Sequence, residues 1–187
     1  TPHPPIGVAA TSIGSSSIRV AGEKGWIPMS SSNLAPQYLG GHWAEVEDAA
    51  AEAGRTADRS QWRIGRDVFV AKTPTEARER ARAVLGRNYI EHQQPNRSGS
   101  GLIQATKTDP NMSNEDLTVD YMMENIWIVG DPQECAERIR SLYEEVGGFG
   151  HLLAITQDPD DPQWEHECLQ LLAEEVGPRV ADLTGIN

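Results

Sequence analysis

Short apolar runs alternate with longer amphipathic stretches from one end of this chain to the other, and that alternation restricts its possible folds more than any other feature. An apolar run too short for a helix reads as a buried strand, whereas apolar residues recurring every three to four positions read as a helix that hides one face. The first run covers residues 5–10 with Ile6 and Val8, and a polar turn at 11–17 and a helical stretch closed by Gly25 follow it. A second run, Trp26, Ile27, Pro28 and Met29, leads through Ser30, Ser31, Ser32 and Asn33 into a helix over 34–53, with Leu39, Trp43, Val46 and Ala50 on one face and Gly54 as its stop. Residues 62–71 hold the next strand, around Val68, Phe69, Val70 and Ala71, and 126–130 a brief further one. The run at 149–156 is so uniformly apolar that it predicts a parallel strand covered on both faces.

Two helix starts are written plainly. Thr73, Pro74 and Glu76 form a capping box with proline at the first helical position, and Asp131, Pro132 and Glu134 repeat the device. The first of these helices is expected to run to about residue 89. The second buries Cys135, Ile139, Leu142, Tyr143 and Val146 and ends at Gly147 and Gly148. A helix over 115–125 and a last one over 161–183, burying Trp164, Cys168, Leu171, Leu172 and Val176, complete the series. Residues 93–114 turn to Pro, Asn, Ser, Gly, Lys and Asp without periodicity, which reads as a loop longer than the ~12–15 residues usual in compact domains, and hence as a mobile lid. The expectation is one α/β domain over residues 1–187, built of parallel βαβ units with right-handed crossovers. Open doubly wound sheets and closed barrels both use such units. The first is disfavoured by the lack of a glycine-rich dinucleotide fingerprint after any strand, since Gly7 and Gly14 are too scattered to form one.

Acidic residues outnumber basic ones 28 to 16, giving a net charge of −12. With no basic stripe to neutralise phosphates, nucleic acid is not an expected partner. No apolar run approaches the ~20 residues of a membrane-spanning helix and no basic leader precedes an apolar core, so a cytoplasmic location is the expectation. Cys135 and Cys168 fall on apolar helix stripes and read as small core hydrophobes. His3, His42, His92, His151 and His166 lack metal-ligand spacing and read as ordinary structural or surface residues, and the acidic clusters at 45–48 and 158–161 as solvated surfaces. No metal site is expected.

Several stretches together resemble the bacterial luciferase-like flavin-dependent monooxygenases, in tone closest to the terpene-oxidising, limonene monooxygenase-like branch. They are the strand at 6–10 with the serine-rich loop 12–17, the run Ala21-Gly22-Glu23-Lys24-Gly25-Trp26-Ile27-Pro28-Met29, the strand and capped helix from Asp67 to Ala77, and Val129-Gly130-Asp131-Pro132-Gln133-Glu134. The most specific are Gly147-Gly148-Phe149-Gly150-His151-Leu152-Leu153 and the ending Leu171-Leu172-Ala173-Glu174-Glu175-Val176-Gly177-Pro178-Arg179. The resemblance covers most of the chain except 93–114 and matches the second half of the family only. It implies a (β/α)8 TIM barrel of which strands five to eight are present. It also implies reduced FMN as cofactor, delivered by a separate flavin reductase, O2 as co-substrate and a small hydrophobic organic substrate. A deazaflavin-dependent oxidoreductase on the same barrel is the alternative, as is a noncatalytic flavin-binding homologue or fragment. The family's catalytic histidine belongs to the first half and corresponds to no residue here.

Within that frame, Ser12, Gly14, Ser15, Ser16 and Ser17 are the leading cofactor-binding candidates. A strand-to-helix turn presents free backbone N–H groups with hydroxyls beside them, and Gly14 lets the backbone approach a phosphate closely. The resemblance places the flavin phosphate on Gly14, Ser15, Ser16 and Ser17; the bland reading is a polar turn with a serine helix cap. Met29 and Ser30, at the end of the next strand, are the candidates to face the flavin ring, against core packing and a helix cap, while Trp26 and Trp43 are expected in the core. His151 stands near the start of its strand, at the stability end of a barrel. Thr1 reads as an internal break, and half a barrel leaves apolar residues such as Ile6, Val8, Ile27, Phe69 and Leu153 uncovered. The expected partner is therefore the N-terminal half of the same protein, or a second copy in a homo-oligomer.

Overall fold

The computed structural model of the protein describes residues 3–157 and 159–184, and every strand pairing among them is parallel. The elements run β1 (Gly7–Ala10), α1 (Ser16–Lys24), β2 (Ile27–Ser30), α2 (Pro36–Glu52), β3 (Arg63–Val70), α3 (Pro74–Ala81), α4 (Gln94–Ser100), α5 (Val119–Asn125), β4 (Ile128–Gly130), α6 (Pro132–Glu145), β5 (His151–Ile155), α7 (Pro162–Leu171) and α8 (Gly177–Val180). β3 is the hub of the sheet. Its first residues pair with β2 at Met29↔Arg63 and Ser30↔Ile64 and with β5 from Arg63↔His151 to Asp67↔Ile155, so those two strands occupy its opposite edges. Its later residues pair with β4 from Val68↔Ile128 to Val70↔Gly130. β1 lies outside β2, from Gly7↔Ile27 to Ala10↔Ser30. The series β1-β2-β3-β5 is what strands five to eight of a barrel would form.

Side chains alternate across a strand, and the packing separates the two faces. Ala10 and Ile64 pack with Ile18 of α1 and Leu39, Trp43 and Val46 of α2, while Val68 and Val70 pack with Cys135 and Ile139 of α6 and Cys168 of α7. The other face of β1, β2 and β5 carries no such layer among the described residues. Gly7 and Ala9 are exposed, Ile27, Met29 and Leu153 half-buried, and Ile155 is 37% exposed. That face corresponds to the interior of a barrel. Ile27 and Leu153 lie on it as expected, but three other candidates do not behave so. Ile6 and Val8 fall on the helix side by alternation with Ala10, and Phe69 is 3% exposed, packed against Ala77, Tyr89 and Met122.

The stretch 93–114 departs most from its reading. A continuous helix leaves Thr73 and reaches Ser100 by way of α3, a π-helical turn at Arg82–Gly86, a second at Tyr89–Gln93, and α4; a 3-10 turn at Leu102–Thr106 follows. The local composition is poor for a helix, and tertiary bonds supply what propensity does not. The Tyr89 hydroxyl and Gln94 Nε2 donate to the Leu117 carbonyl, and Arg97 Nη2 donates to the Leu102 carbonyl. Ile103, Ala105, Thr106 and Lys107 are buried. Ala35 N donates to the Ala105 carbonyl, and Gln37 Nε2 to the carbonyls of Lys107 and Thr108. This stretch thus lies against the start of α2, just beyond the carboxyl end of β2. At the chain's end the expected single helix is α7, a π turn at Leu172–Val176 and α8; Cys168 and Val176 are buried, whereas Trp164, Leu171 and Leu172 are only partly so.

Candidate functional site

The turns after β1 and β2 leave the same end of the sheet, because the strands are parallel and Ala10 pairs with Ser30. Gly14 holds φ at +62°, a conformation that favours glycine, and an added Cβ there would meet no atom within 4 Å, so the turn is open on its outer side. Ser15 precedes the first turn of α1 in extended conformation, but its side chain makes no capping bond, and the first turn carries no acidic residue. The Ser17 hydroxyl donates to the Ala9 carbonyl at 2.7 Å, leaving Ser15 Oγ as donor to Ser17 Oγ at 2.8 Å. Ser17 therefore braces the turn, and Ser16 is exposed. An uncapped helix start with free N–H groups and no competing carboxylate is a favourable place for an anion.

Two candidates on β2 separate by face. Met29 lies half-exposed on the uncovered face, its Sδ 2.7 Å from where a Cβ on Gly7 would stand, so Gly7 leaves it room. Ser30 does not face a ring site. It is 3% exposed on the helix side, where Trp62 Nε1 donates to its Oγ at 3.0 Å and its Oγ lies 3.0 Å from His42 Nδ1. Strand alternation and the packing of α2 decide this, and a polar residue at the strand's end gave no local sign of which face it takes. His42 Nε2 lies 2.9 Å from the Ser12 carbonyl, so this buried imidazole spans the two turns. Burial pushes its pKa down, against the pull of the Ser12 carbonyl. In the sequence His42 reads as an ordinary structural residue. Its one signal was a position on the buried stripe of α2, three residues after Leu39 and beside Trp43. Trp43 is in the core, 5.5 Å from Trp62 between ring centroids, and Trp26 is half-buried. His151 is exposed at the first residue of β5, away from this end.

On the same side of β3, beyond the end of β2 where the face is covered, Asp67 is 1% exposed opposite Ile155. Burial raises its pKa, opposed by the polar side chains of Ser32, Gln157 and Gln93 and by the neighbouring Arg66 charge; of these groups Gln157 Nε2 donates to Oδ1, at 3.4 Å. Asp67 Oδ2 and Gln93 Oε1 both lack a hydrogen-bond partner. Arg66, on the opposite face, is buried where β3 passes from β2 to β4, and its Nη1 donates to the carbonyls of Ser32 and Gly65. A folded-state pKa raised above the unfolded one means that the fold binds the extra proton, so stability falls as pH rises from the unfolded carboxylate range through the folded value. Each unit between the two values lowers stability above that window by about 1.4 kcal/mol. Asp67→Asn is therefore expected to gain on the native chain as pH rises from 4 to 8, read as denaturant midpoints. A gap between the two that is constant with pH would contradict a proton held on Asp67.

Among the described residues no helix is long and apolar enough to cross a membrane, and no cluster of His, Cys, Asp and Glu could hold a metal ion. The family model for luciferase-like monooxygenases matches residues 1–148. The chain is 32% identical over 180 residues to 3,6-diketocamphane 1,6-monooxygenase of Pseudomonas putida, covering 95% of this chain and 47% of that one. It is 30% identical over 145 residues to limonene 1,2-monooxygenase of Rhodococcus erythropolis, covering 76% of this chain and 34% of the relative. A solved structure of the oxygenating constituent of 3,6-diketocamphane monooxygenase from Pseudomonas putida, a type II Baeyer-Villiger monooxygenase in complex with FMN, superposes with a TM-score of 0.85. That pair is 31% identical over 94% of this chain and 49% of the other. The chain spans about half the length of the curated relatives it matches.

Proposed function

The chain belongs to the luciferase-like monooxygenase family, and from that premise we propose that it is the half of a flavin-dependent monooxygenase that holds the phosphate of FMN. The observation that carries the reading is the uncapped start of α1 behind Gly14, at the carboxyl end of β1, where barrel enzymes build their sites. The N–H groups of residues 15–17 and the hydroxyl of Ser16 hold the phosphate, with Ser15 bonded to Ser17 and Ser17 bracing the turn from Ala9. Met29, on the uncovered face beside Ala9, packs against the ring system. Reduced flavin supplies the electrons that activate O2 for transfer to a small hydrophobic organic substrate, and a separate flavin reductase supplies the reduced flavin. The stretch Leu102–Thr106, laid against the start of α2 near this end, shields the site from water. The first half of the barrel brings the catalytic histidine and covers the exposed face.

Flavin affinity tests the phosphate assignment. Ser16→Asp puts a carboxylate where the phosphate would sit, and with the two halves assembled it is expected to weaken FMN at least tenfold while changing riboflavin, which lacks the phosphate, less than twofold. Equal effects on both flavins, or none on either, would remove these residues from the phosphate site.

A further inference from the structure

We infer that His42 is a positioning residue for the turn after β1: a neutral imidazole that ties this turn to the end of β2 and aims one of its N–H groups outward. The inference rests on the reading of that turn as a phosphate site. The direction of each hydrogen bond follows from groups that have only one role. A carbonyl can only accept, so the proton between His42 and Ser12 belongs to Nε2. An indole N–H can only donate, so Ser30 Oγ accepts from Trp62. With the imidazole neutral, the Ser30 hydroxyl proton is left to fill Nδ1. The chain of donors runs from Trp62 through Ser30 and His42 to Ser12 without a gap or a clash of protons. All three side chains sit in the core, Trp62 and His42 at 0% and 1% exposure, so the assembly is rigid where the turn it holds is exposed.

The consequence for the site comes from peptide geometry. A peptide unit is planar and trans, so its C=O and N–H point in opposite directions. Drawing the Ser12 carbonyl inward to α2 turns the Ile13 N–H outward, to the open side of the turn beside Gly14. Gly14, with no Cβ and nothing within 4 Å of where one would stand, exerts no control of its own over that peptide. His42 thus adds the Ile13 N–H to the N–H groups of residues 15–17 as a donor for the anion, without itself approaching the anion.

The test uses the whole chain with inorganic phosphate as probe, followed by amide shifts of residues 13–17, with imidazole 15N shifts and thermal unfolding alongside. Native protein is expected to show His42 protonated at Nε2 and bare at Nδ1 at pH 7, and to take up phosphate at those amides. His42→Leu keeps the volume and loses both bonds, so phosphate affinity should fall about tenfold. His42→Gln offers an oxygen to Ser30 and an N–H to Ser12 and should restore it to within about threefold. That rescue separates positioning from packing, because both variants lose the ring. Retained affinity in a folded His42→Leu variant, failure of the Gln variant to rescue, or a proton on Nδ1 would each overturn the inference. If native protein shows no phosphate shift at 13–17, the cofactor reading falls first and the inference falls with it, whatever the variants do.

Discussion

Replacement of Gly150 by alanine is expected to remove at least about 3 kcal/mol of stability, a large share of the ~5–15 kcal/mol that holds a whole domain. A Cβ at Gly150 would lie 1.6 Å from the Ser60 carbonyl oxygen, 2.3 Å from its carbon and 2.8 Å from its Cα, which is backbone with no rotamer to yield. Neither side can retreat cheaply. Gly150 N and His151 N both donate to the Trp62 carbonyl at 3.1 Å, holding the start of β5 to the turn Arg59–Gln61. Trp62 in turn is fixed by Ser30 and by the Trp43 ring. Relief of the clash must therefore either part β5 from β3 or dislodge a fully buried tryptophan. Gly40→Ala in α2 is the matching control: its Cβ would meet nothing within 4 Å, and alanine there should raise stability by ~0.5–1 kcal/mol. Urea midpoints of both variants decide the matter. A Gly150→Ala protein within 1 kcal/mol of the native chain would show that the turn at 59–61 moves freely.

The same glycine explains part of the family resemblance. In Gly147-Gly148-Phe149-Gly150, the first two residues hold φ at +73° and +93° to turn the chain out of α6, Phe149 is buried, and Gly150 admits the close approach of Ser60. The run is a structural signature of how β5 enters the sheet.

What could be read from the sequence was what local chemistry decides. Thr73 Oγ1 accepts from Glu76 N and Asp131 Oδ1 from Glu134 N, each with proline at the first helical position, as their spacing predicts. The parallel pairing followed from the alternation of runs and helices. Features that depend on partners distant in sequence were not legible. The helix through 94–100 is held by Leu117 against its own composition. Which face Ser30 takes is settled by α2, and His42 gains its place between two turns only through the same helix. Asp67 meets Gln157, 90 residues further on, which no local pattern connects to β3.

The uncovered face supports the second large effect. β1 is paired on one edge by β2 and β5 on one edge by β3, and among the described residues neither has a partner on its other edge. Open edges of parallel strands are templates for another chain. Between them Ile27, Met29, Leu153 and Ile155 form an apolar surface, and burying such a side chain contributes roughly 1.5–3 kcal/mol. Cover for this face is thus worth several kcal/mol, comparable with the ~5–15 kcal/mol of a whole domain. Alone at micromolar concentration, the 20.5 kDa chain is expected to sediment as dimers or larger species, and to convert to a one-to-one complex when the first half of the barrel is supplied. The double variant Leu153→Lys, Ile155→Lys puts two charges on the interior face. It should weaken that complex at least a hundredfold, while α2, α6 and the turn after β1, which lie on other surfaces, keep their amide protection. Sedimentation velocity with and without the first half reads the outcome directly. A chain that stays at 20.5 kDa across concentrations and takes up no first half would show that this face is stable in water, and the half-barrel reading of the partner would be lost.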